Sequence, residues 1–115
     1  MTFNDKFQFL MDITNTSNTT LASAVGIDNS AVSLYRNGKR KCPRSKEVLK
    51  KMADYFAGSI KLNYQRKALA LAADYSRFNH SRPVSEYSQM LYLWLTDELP
   101  VQNDLVDSIL NENVS

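Results

Sequence analysis

The sequence predicts an all-α protein, on three observations. Its glycines and prolines are Gly26, Gly38, Gly58, Pro43, Pro83 and Pro100, and all fall between apolar-periodic segments, so the stretches between them can run as helix. Within those stretches apolar residues recur at spacings of three and four. Alternation of period two is absent at useful length, and β-branched runs are scarce.

Seven helices are expected along the chain. The first carries Phe3, Phe7, Leu10 and Met11 on one stripe, with Thr2 and Asp5 spaced as a capping box. The polar stretch Asn15-Thr16-Ser17-Asn18 reads as a loop ending in an N-cap. A second helix, barely two turns from Thr19 to Val25, stops at Gly26. The third starts behind Asp28, passes through Val32 and Tyr35, and ends at Asn37-Gly38. The fourth starts near Ser45 and carries Val48, Leu49, Met52, Tyr55 and Phe56 before Gly58. Tyr64, Ala68, Leu71, Ala72 and Tyr75 define the buried stripe expected of the fifth. Ser76 to Arg82 reads as a polar linker in which His80 is solvated. The sixth helix follows Pro83 with Val84, Tyr87, Leu91, Trp94 and Leu95, and the seventh follows Pro100 with Val101, Leu105 and Ile109.

Composition narrows the class. With 115 residues, 43% hydrophobic and 23% charged, the chain is one ordinary domain in size, able to bury roughly two-thirds of its unfolded surface. One cysteine, Cys42, rules out an intrachain disulfide, and with His80 as the one histidine no Cys/His zinc cluster is expected. Neither a membrane-length apolar run nor a signal-peptide layout is present, so the reading is a cytoplasmic protein without membrane contact. No cofactor is expected. Enzyme chemistry has little behind it: there is no glycine-rich phosphate loop, and neither Cys42 nor His80 has an activating partner in sequence.

The net charge of +2 hides an asymmetry. Between Arg36 and Lys67 lie 11 basic residues against Glu47 and Asp54, a local charge of +9, while the rest of the chain carries −7. Such a cluster is either a solvated face or a field suited to a polyanion.

The stretch from Thr19 to Tyr35 places two short helices around a tight turn at Gly26, the layout of a helix-turn-helix. Ala22 is small enough for a second helix to cross closely, and Gly26 accepts the left-handed conformation that redirects the chain. Leu21, Val25, Ile27, Val32 and Tyr35 are expected to pack inward. Asn29, Ser30, Ser33 and Leu34 are left pointing outward.

Leu21-Ala22-x-x-Val25-Gly26-Ile27-Asp28-x-Ser30-x-Val32-Ser33, followed by Asn37-Gly38-Lys39-Arg40, resembles the helix-turn-helix of the lambda-repressor and Cro family, the Xre type. The match is strong over residues 17–57, weaker for the first and fifth helices, and silent beyond about residue 80. The resemblance implies a five-helix domain over residues 1–76 that binds double-stranded DNA, generally as a homodimer. Residues 77–115 would then be a helical extension of one or two further helices, serving dimerisation or opening a second domain. Residues 1–82 also resemble the N-terminal module of longer regulators.

Carried over by position, residues 28–37 would be the recognition helix in the major groove of a bacterial or phage transcriptional regulator. Asn29, Ser30, Ser33 and Leu34 would face the bases: Asn suits adenine, Ser several bases, Leu a thymine methyl. Asn18, Arg36, Asn37, Lys39, Arg40, Lys41 and Arg44 would line the DNA backbone. Asn18 stands where the family often has Gln. Arg36 stands where the family usually has Glu paired to a basic residue of the first helix, and Asp12 lies near that partner position. Either the ion pair is reversed in sign, or Arg36 points at a phosphate.

Two alternatives stay open from sequence. Either the domain binds DNA, or it keeps this fold and binds protein instead, a reading that calls for apolar or acidic residues at 29–34. The run Met90-Leu91-Tyr92-Leu93-Trp94-Leu95 either packs in the core or forms a surface between chains.

Overall fold

The computed structural model describes residues 1–100. Those residues form α1 (Phe3–Ile13), α2 (Asn18–Val25), α3 (Asn29–Arg36), α4 (Lys46–Ser59), α5 (Asn63–Ala73), a 3-10 turn (Ser76–Asn79) and α6 (Val84–Leu95), with no strand among them. The expected seventh helix lies outside the described residues.

Side-chain caps set the starts of the first helices. Thr2 Oγ1 accepts the Asp5 N–H at 3.2 Å while the Thr2 N–H donates to Asp5 Oδ2 at 3.1 Å, a closed capping box. Donation from Thr2, first of all from its backbone N–H, holds the Asp5 carboxyl below its ordinary pKa. Ser17 caps α2 by accepting the Thr20 N–H at 3.1 Å, so the helix begins one residue before the expected Thr19. Ser45 does the same for α4 through the Val48 N–H at 3.2 Å. Asp28 holds the N-cap backbone conformation of α3, but its side chain makes no capping bond.

Gly26 ends α2 at φ +78°, and both its own N–H and that of Ile27 bond to the Ala22 carbonyl. Gly58 does not end α4. The helix continues to Ser59, whose hydroxyl donates to the Tyr55 carbonyl at 2.9 Å.

One hydrophobic cluster draws on all six helices and the 3-10 turn, with Phe7, Phe56 and Phe78 fully buried. Phe7 meets Tyr35 and Phe56 edge-on, and Phe78 meets Tyr75 and Trp94 the same way. α6 packs chiefly on α4. Met90, Leu91, Trp94 and Leu95 are buried and Tyr92 and Leu93 half-buried, so the apolar run is used largely within the chain.

Two expectations are corrected. The Tyr64–Ala68–Leu71 stripe does not face the core, since Tyr64 is 64% and Leu71 73% exposed. α5 instead buries Gln65, Leu69 and Ala70, one residue around the helix. Gln65 is bonded at both ends of its amide: its Oε1 accepts the Lys61 and Leu62 N–H groups at 2.8 and 3.0 Å, and its Nε2 donates to the Ile13 carbonyl at 3.0 Å. Residues 76–82 are also more than a polar linker. Their 3-10 turn drives Phe78 into the core, and its carbonyl accepts the Tyr87 hydroxyl at 2.6 Å. His80 is exposed.

Among the described residues Lys6 is the buried cation, 5% exposed on α1. Its Nζ donates to the Trp94 carbonyl at the end of α6 (2.7 Å), lies 5.6 Å from the Trp94 ring centre and 3.6 Å from Asp97 Oδ1. A carbonyl, a π face and a carboxylate together offset the desolvation of the ammonium.

Candidate nucleic-acid interface

α3 is amphipathic within eight residues. Ala31, Val32 and Tyr35 turn inward, leaving Asn29, Ser30 and Ser33 exposed and Leu34 half-buried. α3 packs on both α2 and α1. The outward set follows from the helical period, because 29, 30 and 33 lie opposite 31, 32 and 35. Ile27, expected inside, is half-buried at the turn.

Behind α3 the chain makes a tight reversal. Gly38 has φ +79°, the N–H groups of Lys39 and Arg40 both bond to the Leu34 carbonyl, and Asn37 Oδ1 accepts the Lys39 N–H at 3.1 Å. From α1, Asn4 Nδ2 donates to the carbonyls of Tyr35 (2.9 Å) and Arg40 (2.7 Å), clamping the loop to the first helix. The Arg40 guanidinium lies 5.8 Å from the Tyr35 ring centre. Pro43 is buried, while Lys39, Arg40, Lys41, Cys42 and Arg44 are exposed. Four cations are thereby carried on a loop whose backbone is pinned at several points, directly after the polar face of α3.

Arg36 occupies a different place from its loop neighbours. Its Nε donates to Gln8 Oε1 at 3.1 Å, Nη1 to Asn18 Oδ1 at 3.0 Å and Nη2 to Asp12 Oδ1 at 3.1 Å. Gln8 Nε2 in turn donates to Asp12 Oδ1 at 2.8 Å. Of the two readings the sequence left open for Arg36, the structure shows the ion pair with Asp12. The guanidinium fork suits this role, since its donors lie in one plane and reach acceptors on α1 and α2 at once. Asn18 is thus tied to Arg36 through its carbonyl at the first residue of α2.

Gln8 and Asn4 were not singled out by sequence reasoning. Gln8 was legible in one respect, standing one turn before Asp12 on the same face of α1. Asn4 was not, because its acceptors are backbone carbonyls some 31 and 36 residues away.

Among the described residues no helix is long and apolar enough to cross a membrane, and no group of three or more His, Cys, Asp or Glu side chains is placed to hold a metal ion. No protein-family model matches the chain, and neither a curated protein nor a solved structure matches it.

Proposed function

We propose that the protein is a sequence-specific double-stranded DNA-binding transcriptional regulator, bacterial or phage and cytoplasmic, in which α2 and α3 form a helix-turn-helix of the lambda-repressor and Cro type. The observation that carries this reading is the succession of two exposed polar sets along one stretch of chain. Exposed Asn29, Ser30 and Ser33 on α3 are followed, in the loop after that helix, by the exposed cations Lys39, Arg40, Lys41 and Arg44. The first set has the chemistry to read base edges, the second the charge to hold phosphates.

Under this reading α3 enters the major groove from its N-terminal end, and Leu34 meets a thymine methyl. Arg36 does not reach for DNA but fixes the angle between α1, α2 and α3. Asn18 turns its amide N–H groups towards a phosphate while its carbonyl receives Arg36. The partner protein is a second copy of the chain, and the outward stripe of Tyr64, Ala68 and Leu71 on α5 supplies an apolar face for it.

Selection of bound sites from a random duplex pool tests the proposal. The expected outcome is an enriched motif with dyad symmetry, bound far more tightly than scrambled duplex. No enrichment, together with no duplex binding at physiological salt, would overturn it in favour of a protein-binding derivative of the same fold.

A further inference from the structure

Away from α3, a cavity of about 220 Å³ opens where the end of α4, the start of α5 and the segment before α6 meet. Its floor is apolar or aromatic, from Ala57, Ile60 and Tyr87, and Val84 stands at the side. The polar lining is Lys61, Arg66, Ser81 and Arg82: three cations and a hydroxyl, with no carboxylate. Acidic partners are scarce around them. Arg82 Nη1 pairs with Glu86 at 2.8 Å, and no ion pair is formed by Lys61 or Arg66 among the described residues.

The two guanidinium groups are held rather than mobile. Arg66 donates through Nη1 to the Lys61 carbonyl at 3.1 Å and through Nη2 to Asn63 Oδ1. Arg82 donates through Nε to the Arg77 carbonyl at 3.2 Å and through Nη1 to Glu86. Each fork has five N–H donors, so these bonds leave donors over on both. Both positive charges are felt at the Tyr87 ring on the cavity floor. Like charges converging on one small cavity repel each other, and an anion placed among them removes that repulsion while forming charge-assisted hydrogen bonds.

We propose that this cavity is a binding site for a small phosphate-bearing anion, held by Lys61, Arg66 and Arg82 with Ser81 as a neutral donor. The volume is below the range of drug-sized pockets, so the ligand is inorganic phosphate or a phosphomonoester with a body of a few carbons resting on Ile60, Val84 and Tyr87. Because the lining joins α4, α5 and α6, occupancy would tie α5, which carries the outward stripe, to its two neighbours. The same chemistry is offered by a DNA backbone phosphate, and the free anion is the source favoured by a small cavity whose apolar lining, Ala57, Ile60, Val84 and Tyr87, suits a short carbon body.

Calorimetric titration of the full chain in chloride buffer, with inorganic phosphate and with glycerol phosphate, tests the site. Saturable one-to-one binding is expected, weakened at least tenfold in Arg66→Gln and Arg82→Gln and unchanged in Lys50→Gln, which removes a charge outside the cavity. Lys61→Gln gives a second route should the arginine variants fail to fold, since no side-chain bond holds Lys61 among the described residues; it is expected to weaken binding several-fold. Duplex titration separates the sources: the cavity variants should keep the wild-type salt slope. Equal anion binding by wild type and all cavity variants overturns the proposal. So does a duplex salt slope reduced in the variants with no free-anion binding, which would assign the three cations to DNA.

Discussion

Arg36 Nη2 on α3 and Asp12 Oδ1 on α1 lie 3.1 Å apart, and the same guanidinium also holds Gln8 and Asn18. The ion pair is partly solvated, so its Coulombic contribution is small, about 0–1 kcal/mol. What the arrangement supplies is a single rigid group that sets three helices against one another. Arg36→Ala is expected to cost about 1–2 kcal/mol through three lost hydrogen bonds, and Asp12→Asn less than about 1 kcal/mol. A double-mutant cycle from urea unfolding should return a coupling below about 1 kcal/mol. A coupling of several kcal/mol would mean the pair is far better shielded from water than its exposure indicates.

At Gly26 the φ of +78° is set by the turn, and a Cβ added there meets no atom within 4 Å. Space is therefore no obstacle, and the cost of a substitution comes from the backbone alone. Gly26→Ala should lose about 1 kcal/mol and Gly26→Val about 1–2 kcal/mol. An unchanged melting temperature in both would contradict the left-handed turn.

Phe78 sits among Ser76, Arg77, Asn79 and His80, yet is fully buried against Tyr75, Tyr87 and Trp94. Phe78→Ala is expected to destabilise by about 3–5 kcal/mol, the range for a large aromatic removed from a core. A loss under about 1 kcal/mol in chemical denaturation would return residues 76–82 to the status of a surface linker.

Burial pushes the Tyr87 phenol up to about 12, against partial relief from Arg66 and Arg82. The folded protein therefore keeps a proton that the unfolded chain releases near 10. Stability from this source is complete below pH 10 and is lost between about pH 10 and 12, at up to roughly 1.4 kcal/mol per pH unit. Absorbance near 295 nm should show a tyrosine ionising well above pH 10, and Tyr87→Phe should remove that step.

For the proposed DNA site, reading and positioning are separable. Removing one of Lys39, Arg40, Lys41 or Arg44 should weaken binding alike on every duplex and flatten the logarithmic salt slope by about one unit. Asn29→Ala should cost about 1–3 kcal/mol on the selected site while leaving non-specific affinity and slope nearly unchanged. Equal weakening of specific and scrambled duplexes by Asn29→Ala would remove it from the reading face.

The sequence was most legible where local chemistry decides. Thr2 and Ser45 mark helix starts because a hydroxyl satisfies a donor three residues on, and Asp12 and Arg36 offered opposite charges for a pair between α1 and α3. It was least legible where two patterns competed. α5 offers Tyr64–Ala68–Leu71 and Leu69–Ala70 as rival faces, and the larger side chains belong to the face that stays outside. Tertiary contacts distinguish them, among them the bond from Gln65 to Ile13, and a polar residue does not announce itself as the buried one. Phe78 was hidden for a related reason: a lone aromatic in a polar stretch has no period. The exposed polar face of α3 was legible, while the clamp from Asn4 depends on backbone carbonyls that carry no residue identity.

The bond from Lys6 to the Trp94 carbonyl spans 88 residues, and it gives the chain a timetable. At a synthesis rate of about 5–20 residues per second, residue 94 follows residue 6 after about 4–18 s. Throughout that interval α1 can coil and gather its own aromatic stripe, but the Lys6 ammonium has no acceptor to enter the interior with. It stays hydrated, and the face of α1 that carries it stays wet. The bond that seats Lys6 in the core therefore cannot form until the last turn of α6 has been made, and a chain stalled before residue 94 lacks it.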